Sequence, residues 1–187
     1  MKFDIIYLDM PWKYNNPKSN DPNMGGKLYP VMSNNELKRL PISDIASANS
    51  VIFSWVTMPK IPDCLDIVSS WGFNYITTPF VWVKTNRISD TIYSGLGHWT
   101  NQNAEMVLLF KRGHPKRIRK NVKQIVMYPV GKHSAKPPIV RDRIVELMGD
   151  IPRIELFARP PVPDDWLALG NEIDGLDIFD SIGKYID

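Results

Sequence analysis

Phe3-Asp4-Ile5-Ile6-Tyr7-Leu8-Asp9-Met10-Pro11-Trp12 decides how this chain is read. Its apolar run, rich in β-branched residues, predicts a buried strand. Pro11 has no N–H and cannot continue a central strand, so the chain turns there. In an open α/β sheet, ligands sit outside the carboxyl ends of the strands. That puts Asp9 and Trp12 at the mouth of a cleft. A carboxylate accepts hydrogen bonds from an amino group, and an indole beside it offers a flat apolar face. With the carbonyls next to Pro11, the residues Asp9, Met10, Pro11 and Trp12 form a clamp for a planar ring that bears an exocyclic amine. Taken alone, the same residues also fit a strand end with a helix-capping Asp.

The 187 residues suit one domain, 1–187, with a sizeable core, and a hydrophobic fraction of 43% is ordinary for a globular chain. A single cysteine, Cys64, rules out a disulfide framework and a Cys-rich zinc site. His98, His114 and His133 are widely separated, so no metal is expected. The N-terminus runs straight into a strand and no apolar run reaches membrane-spanning length. The expectation is a cytoplasmic protein with no membrane partner. The formal net charge is only +3, yet the run from Lys111 to Lys120 is dense in cations and broken by Gly113 and Pro115. It reads as a loop whose Lys116, Arg117, Arg119 and Lys120 meet phosphates, or as a solvated surface turn.

Outward from the first strand, residues 13–30 are rich in Asn, Pro, Gly and Ser, a long loop of the kind that is usually functional or mobile. Tyr14 and Tyr29 within it can stack on a base or pack locally. Ser33-Asn34-Asn35-Glu36 is a capping-box pattern opening a helix through Leu40. Ser50 to Val56 reads as a strand, and Pro59 opens a helix reaching Trp71-Gly72. Phe73 to Val83 reads as a strand ending at Lys84-Thr85-Asn86, and Arg87 to Thr100 as a Gly-containing loop. Ala104 to Lys111 and Gln124 to Met127 read as strands. A helix from Lys136-Pro137-Pro138 to Gly149 and strands over Arg153–Ala158 and Trp166–Leu169 complete the chain. Strands alternating with helices predict an α/β fold, a mostly parallel sheet covered on both faces.

These landmarks recur in a fixed order: Asp9-Met10-Pro11-Trp12, Tyr29-Pro30, Trp55-Val56-Thr57, Trp71-Gly72-Phe73, Trp82-Val83-Lys84-Thr85-Asn86, Gly95-Leu96-Gly97-His98-Trp99, Glu105, Lys136-Pro137, Ile154 to Arg159, and Trp166 to Glu172. From Phe3 to about Gly175 the chain resembles the adenine amino-methyltransferase family typified by the catalytic subunit of the messenger-RNA 6-methyladenine writer. That family also has short phage and bacterial members that modify DNA. The resemblance implies a Rossmann-like, S-adenosylmethionine-dependent fold in permuted order, with the catalytic strand first. The family's Asp-Pro-Pro-Trp falls on Asp9 to Trp12, where Met10 replaces a proline; it keeps the carbonyl but loosens its dihedral. The resemblance further implies that Asp9, Lys136, Glu155, Phe157, Arg159, Asn171 and Glu172 hold the cofactor, with S-adenosylhomocysteine as product and no metal. The substrate would meet Tyr14, Tyr29, Lys84, Asn86, His98 and Trp99 around the mouth, and Lys116, Arg117 and Arg119 in the basic run.

The leading expectation is a site-specific adenine methyltransferase acting on duplex DNA with the target base flipped, favoured by the short chain without accessory segments. RNA is the alternative substrate, and a non-catalytic nucleic-acid-binding subunit the alternative class. Asp9 speaks against that last reading. A homodimer is compatible with the sequence.

Overall fold

A computed structural model describes residues 1–13, 31–89, 91–97, 99–131 and 135–186. Seven strands form one sheet: β1 (Phe3–Asp9), β2 (Ala46–Val56), β3 (Asn74–Thr85), β4 (Ala104–Arg112), β5 (Ile125–Pro129), β6 (Arg153–Leu156) and β7 (Leu167–Leu169), in the spatial order β5-β3-β4-β2-β1-β6-β7. β1 sits between β2 and β6 and is parallel to both. Its Ile5, Ile6 and Leu8 are wholly buried, which is why it reads as continuous apolar sequence rather than alternating.

β4 alone runs against its neighbours, pairing antiparallel with both β2 and β3. The connections explain this. Parallel neighbours need a long crossover, whereas an antiparallel pair needs only a loop. Helix α3 (Ile61–Ser70) bridges β2 and β3, but only a loop joins β3 to β4. The sheet is therefore mostly parallel, as expected, with one reversed strand near its middle.

Helices cover both faces. On one, α1 (Asn34–Lys38), α2 (Ile42–Ile45), α3 and α5 (Ile178–Gly183) pack Leu37, Ile42, Ile67, Val68 and Ile182 against Ile6, Leu8, Phe110 and Leu156. On the other, α4 (Ile139–Met148) lays Val140, Ile144 and Met148 over Tyr7, Phe53, Trp55, Phe80 and Trp82. Ser33 closes its capping box with Glu36 and starts α1 as expected. The helix expected through Leu40 ends at Lys38 instead, and the short α2 leads straight into β2, which starts at Ala46 rather than Ser50. The sixth strand stops at Leu156, not Ala158, because Phe157 takes a left-handed backbone (φ 58°) that no strand can continue. α5, capped by the Asp177 side chain on the Phe179 N–H, is not apparent from the sequence pattern.

Candidate active site

β1 and β2 run in register, so Asp9 and Trp55 end side by side at the same opening. β6 places Glu155 opposite Tyr7. Glu105 comes from the start of the reversed β4, and Lys136 from the approach to α4. Four strands and the segment before α4 thus converge on a cleft of about 1060 Å³ lined by Asp9, Trp12, Glu105, Lys136, Glu155 and Asn171, among others. Small-molecule sites are roughly 300–1,000 Å³, so this one has room for a cofactor and a base together.

Alternating charges cross the opening. Lys136 Nζ lies 2.7 Å from Asp9 Oδ2 and 3.2 Å from Glu105 Oε2, and Lys84 Nζ lies 2.7 Å from Glu105 Oε1. The lysines also stand over aromatic rings, Lys136 5.5 Å from the centre of Trp55 and Lys84 5.0 Å from that of Trp82. Burial disfavours the Lys136 cation, but Asp9 and Glu105 outweigh it and hold its pKa above the usual lysine range. Burial likewise works to raise Glu105, but Lys136 and Lys84 outweigh it and the carboxyl titrates below its ordinary value. Asp9 is 38% exposed at its side chain, and its described ion pair uses Oδ2. Asp9 lines the cleft, and Oδ1 lies outside this ion pair and can accept from a ligand.

A second pair lies on the inner wall. Arg141 grips Glu155 through Nε at 2.6 Å and Nη2 at 2.8 Å. Burial dominates here and keeps the Glu155 pKa above the ordinary carboxylate value despite the guanidinium. Beneath it Trp55 donates its indole N–H to the Tyr7 hydroxyl, and burial followed by the Glu155 charge pushes the phenol pKa up, so Tyr7 stays neutral.

The Met10 carbonyl accepts the Trp12 N–H and the Pro11 carbonyl accepts the Met32 N–H, each at 2.9 Å. Each carbonyl oxygen keeps one lone pair for a ligand. Trp12 differs from the flat, open platform expected of it. Its ring is only 7% exposed and packs into the core beside Met32, with Lys60 Nζ 5.9 Å from its centre. Its buried Nε1 has no hydrogen-bond partner among the described residues, although it borders the cleft. A buried donor left unpaired is costly unless a ligand completes it. Trp12→Phe is therefore expected to lower urea stability by about 1–3 kcal/mol, since the smaller ring leaves a cavity, while weakening ligand binding by calorimetry about three- to tenfold, the worth of one hydrogen bond. Unchanged affinity would mean that no ligand reaches Nε1.

The far wall is built by close approach of two turns. A Cβ on Gly170 would lie 2.9 Å from the Ala158 carbonyl oxygen, so only glycine lets the end of β7 press against the turn after β6. Phe157, Arg159, Asn171 and Glu172 line the cleft there, with Arg159 Nε 3.1 Å from Glu172 Oε1. The structure thus brings together every residue expected at the cofactor. Among those expected at the substrate, Lys84 reaches the cleft through Glu105. Asn86 instead turns away to bond Thr91, and Trp99 is 98% exposed on a loop held by its own Gly95–Gln102 bridge; neither lines the cleft. Tyr14, Tyr29 and His98 lie outside the described residues. Lys116, Arg117 and Arg119 follow the far end of β4, whose stretch from Glu105 to Arg112 spans about 23 Å at 3.3 Å per residue step. They are not at the mouth. The residues that sequence reading left without a role are Glu105 and Arg141. A carboxylate inside the otherwise apolar run of β4 was the available signal for the first; Arg141 carries none.

Among the described residues no group of three or more His, Cys, Asp or Glu is placed to hold a metal, and no helix is long and apolar enough to cross a membrane.

A mostly parallel sheet covered on both faces, with an Asp-Met-Pro-Trp turn opening into a cleft at its carboxyl edge, defines a Rossmann-like methyltransferase. The chain belongs to the MT-A70 family, whose model matches residues 3–172. The family comprises adenine N6 methyltransferases that use S-adenosylmethionine. The chain is 32% identical over 176 residues to the Type II methyltransferase M.MunI of Mycoplasma sp, covering 84% of this chain and 72% of that protein. It is 30% identical over 185 residues to the N(6)-adenosine-methyltransferase catalytic subunit METTL3 of Homo sapiens, covering 96% of this chain but only 30% of that protein. The Drosophila melanogaster N(6)-adenosine-methyltransferase MT-A70-like protein is likewise 30% identical, over 182 residues.

Proposed function

We propose that this chain methylates the exocyclic amine of adenine in DNA. The observation that carries the chemistry is Asp9, held through Oδ2 by Lys136 at the end of β1 and lining a cleft large enough for both reactants. The residues fit the cofactor: Lys136 and Asp9 suit the two charged ends of an amino acid, Asn171 and Glu172 suit ribose hydroxyls, and the orphaned Trp12 Nε1 lacks only an acceptor. S-adenosylmethionine, when bound, supplies the methyl group.

The adenine amine is a poor nucleophile because its lone pair is delocalised into the ring. Asp9 Oδ1 and the free lone pair of the Met10 or Pro11 carbonyl accept its two hydrogens, draw the nitrogen towards a pyramidal geometry and aim its lone pair. Orientation of this kind can contribute about 7–11 kcal/mol. An amine that gains a methyl group sheds one proton, and Asp9 is the acceptor already bonded to it. Lys136 and Glu105 hold Asp9 in place throughout. A base inside a duplex cannot enter the cleft, so it is flipped, which costs a few kcal/mol.

DNA is favoured because M.MunI, of which the chain covers 72%, carries the name of a Type II methyltransferase, whereas the chain covers only 30% of the human adenosine methyltransferase subunit. RNA is the second reading, supported by the adenosine methyltransferases that align over 96% of this chain. Transfer of a labelled methyl group to matched DNA and RNA oligonucleotides separates them. Label in DNA, at adenine N6 after nuclease digestion, is the expected result; label in RNA alone overturns the substrate assignment.

A further inference from the structure

The charge of this chain is unevenly spread. Residues 111–141 hold ten of its 23 lysines and arginines and none of its 20 acids; the remainder, 13 cations against 20 acids, is net acidic. Two of those ten, Lys136 and Arg141, are paired in the cleft. Lys111, Lys116, Arg117, Arg119, Lys120 and Lys123 are exposed and form no ion pair among the described residues. Elsewhere Lys38, Lys60, Arg153 and Lys184 all have carboxylate partners. Evolution of a merely soluble surface would mix the signs.

The loop that carries these cations is anchored rather than free. The His114 N–H bonds Asn49 Oδ1 at 2.8 Å, the Ile118 and Arg119 N–H groups both reach the Leu147 carbonyl at the end of α4, and Arg143 Nη1 holds the Lys123 and Ile125 carbonyls at 2.7 Å. A loop whose backbone is already fixed loses less entropy on binding than a free one. α4 links this loop to the cleft: Pro138 lines the cleft, while Leu147 and Met148 wall an apolar cavity of about 380 Å³ rimmed by Lys111, Arg117 and Lys120. Ten helical residues separate the two ends, about 15 Å at 1.5 Å per residue. That is about four to five base steps of 3.4 Å along one strand.

We infer that the Lys111–Lys123 loop is a second anion site that grips the phosphate backbone of duplex DNA about four to five steps from the flipped base. The inference rests on the reading of the cleft as acting on DNA. The site positions the duplex and reads no sequence, because phosphate contacts carry none. The apolar cavity is rimmed by Lys111, Arg117 and Lys120, with Lys116, Arg119 and Lys123 exposed nearby in sequence, which favours a polyanion over an apolar-anchored peptide.

The test replaces Lys116, Arg117, Arg119 and Lys120 together by Gln and measures duplex affinity, without turnover, across a salt series. Each phosphate contact contributes about −0.9 to the slope of log K against log salt, so loss of four should flatten it by about 3 to 4. Length dependence gives a second readout. Wild type should gain affinity as the flanks on each side of the target adenine grow from roughly two to roughly eight base pairs, the span that brings phosphates over the loop, and the variant should lose most of that gain. An unchanged slope, or the same length dependence in both proteins, overturns the inference. So does an unchanged duplex affinity accompanied by lost binding to poly-glutamate, which assigns the surface to an acidic protein. Should wild type methylate no DNA while the slope still flattens, the cleft assignment falls and the backbone site stands.

Discussion

Asp9→Asn is expected to lower the single-turnover rate of methyl transfer by at least about a thousandfold while the protein stays folded. The substitution keeps the shape of the side chain but puts an amide where Oδ1 should accept from the substrate amine. Loss of one fixed partner for developing charge costs about 10²–10³ in rate, and loss of a positioned proton acceptor about 10²–10⁴. The two overlap because one atom serves both, hence a figure near the middle of their combined range. The fold should tolerate the change. Asp9 lies at the strand end with a partly exposed side chain, and Lys136 keeps Glu105 at 3.2 Å as its counter-charge. Circular dichroism and cofactor calorimetry report the fold and the pocket independently of rate. A folded variant turning over within tenfold of wild type would remove Asp9 from the chemistry.

How far the sequence foretold this site depends on how local the information is. The strand-turn Phe3 to Trp12 is contiguous, and its apolar run, its proline and its terminal acid each have one physical meaning, so β1 and the cleft at its end were legible. The capping box at Ser33 was legible for the same reason. The direction of β4 was not, because a buried strand reads alike in either sense and only the loop joining it to β3 decides. Nor was the end of β6 at Phe157, since nothing in a phenylalanine announces a left-handed backbone. The ion pairs were least legible of all. Lys136 meets Asp9 across 127 residues of chain; the pairing exists only because β1 and the start of α4 share one edge of the sheet. Asn86 and Trp99, close to Lys84 in sequence, leave the cleft because the loop after β3 ladders onto itself.

Arg141→Met is expected to destabilise the protein by about 3–5 kcal/mol, the cost of stripping one partner from a buried ion pair. Both guanidinium contacts to Glu155 disappear, leaving a largely buried carboxylate on the inner wall without its cation. Burial already holds the Glu155 pKa above its ordinary value with Arg141 present, so the variant must hold it higher still. The sign of the pH dependence follows. A carboxyl whose folded pKa exceeds its unfolded value binds the extra proton in the folded state, so its stability contribution is greatest below the unfolded pKa of about 4.3 and is lost as pH rises towards the folded pKa. Urea denaturation should therefore find the Arg141→Met penalty largest at neutral pH and partly recovered in mild acid. Adding Glu155→Gln removes the buried charge, so the double variant should be more stable at neutral pH than Arg141→Met alone, and its acid recovery should vanish. Equal penalties at pH 5 and pH 8 would mean that Arg141 acts by packing its stem rather than by neutralising Glu155.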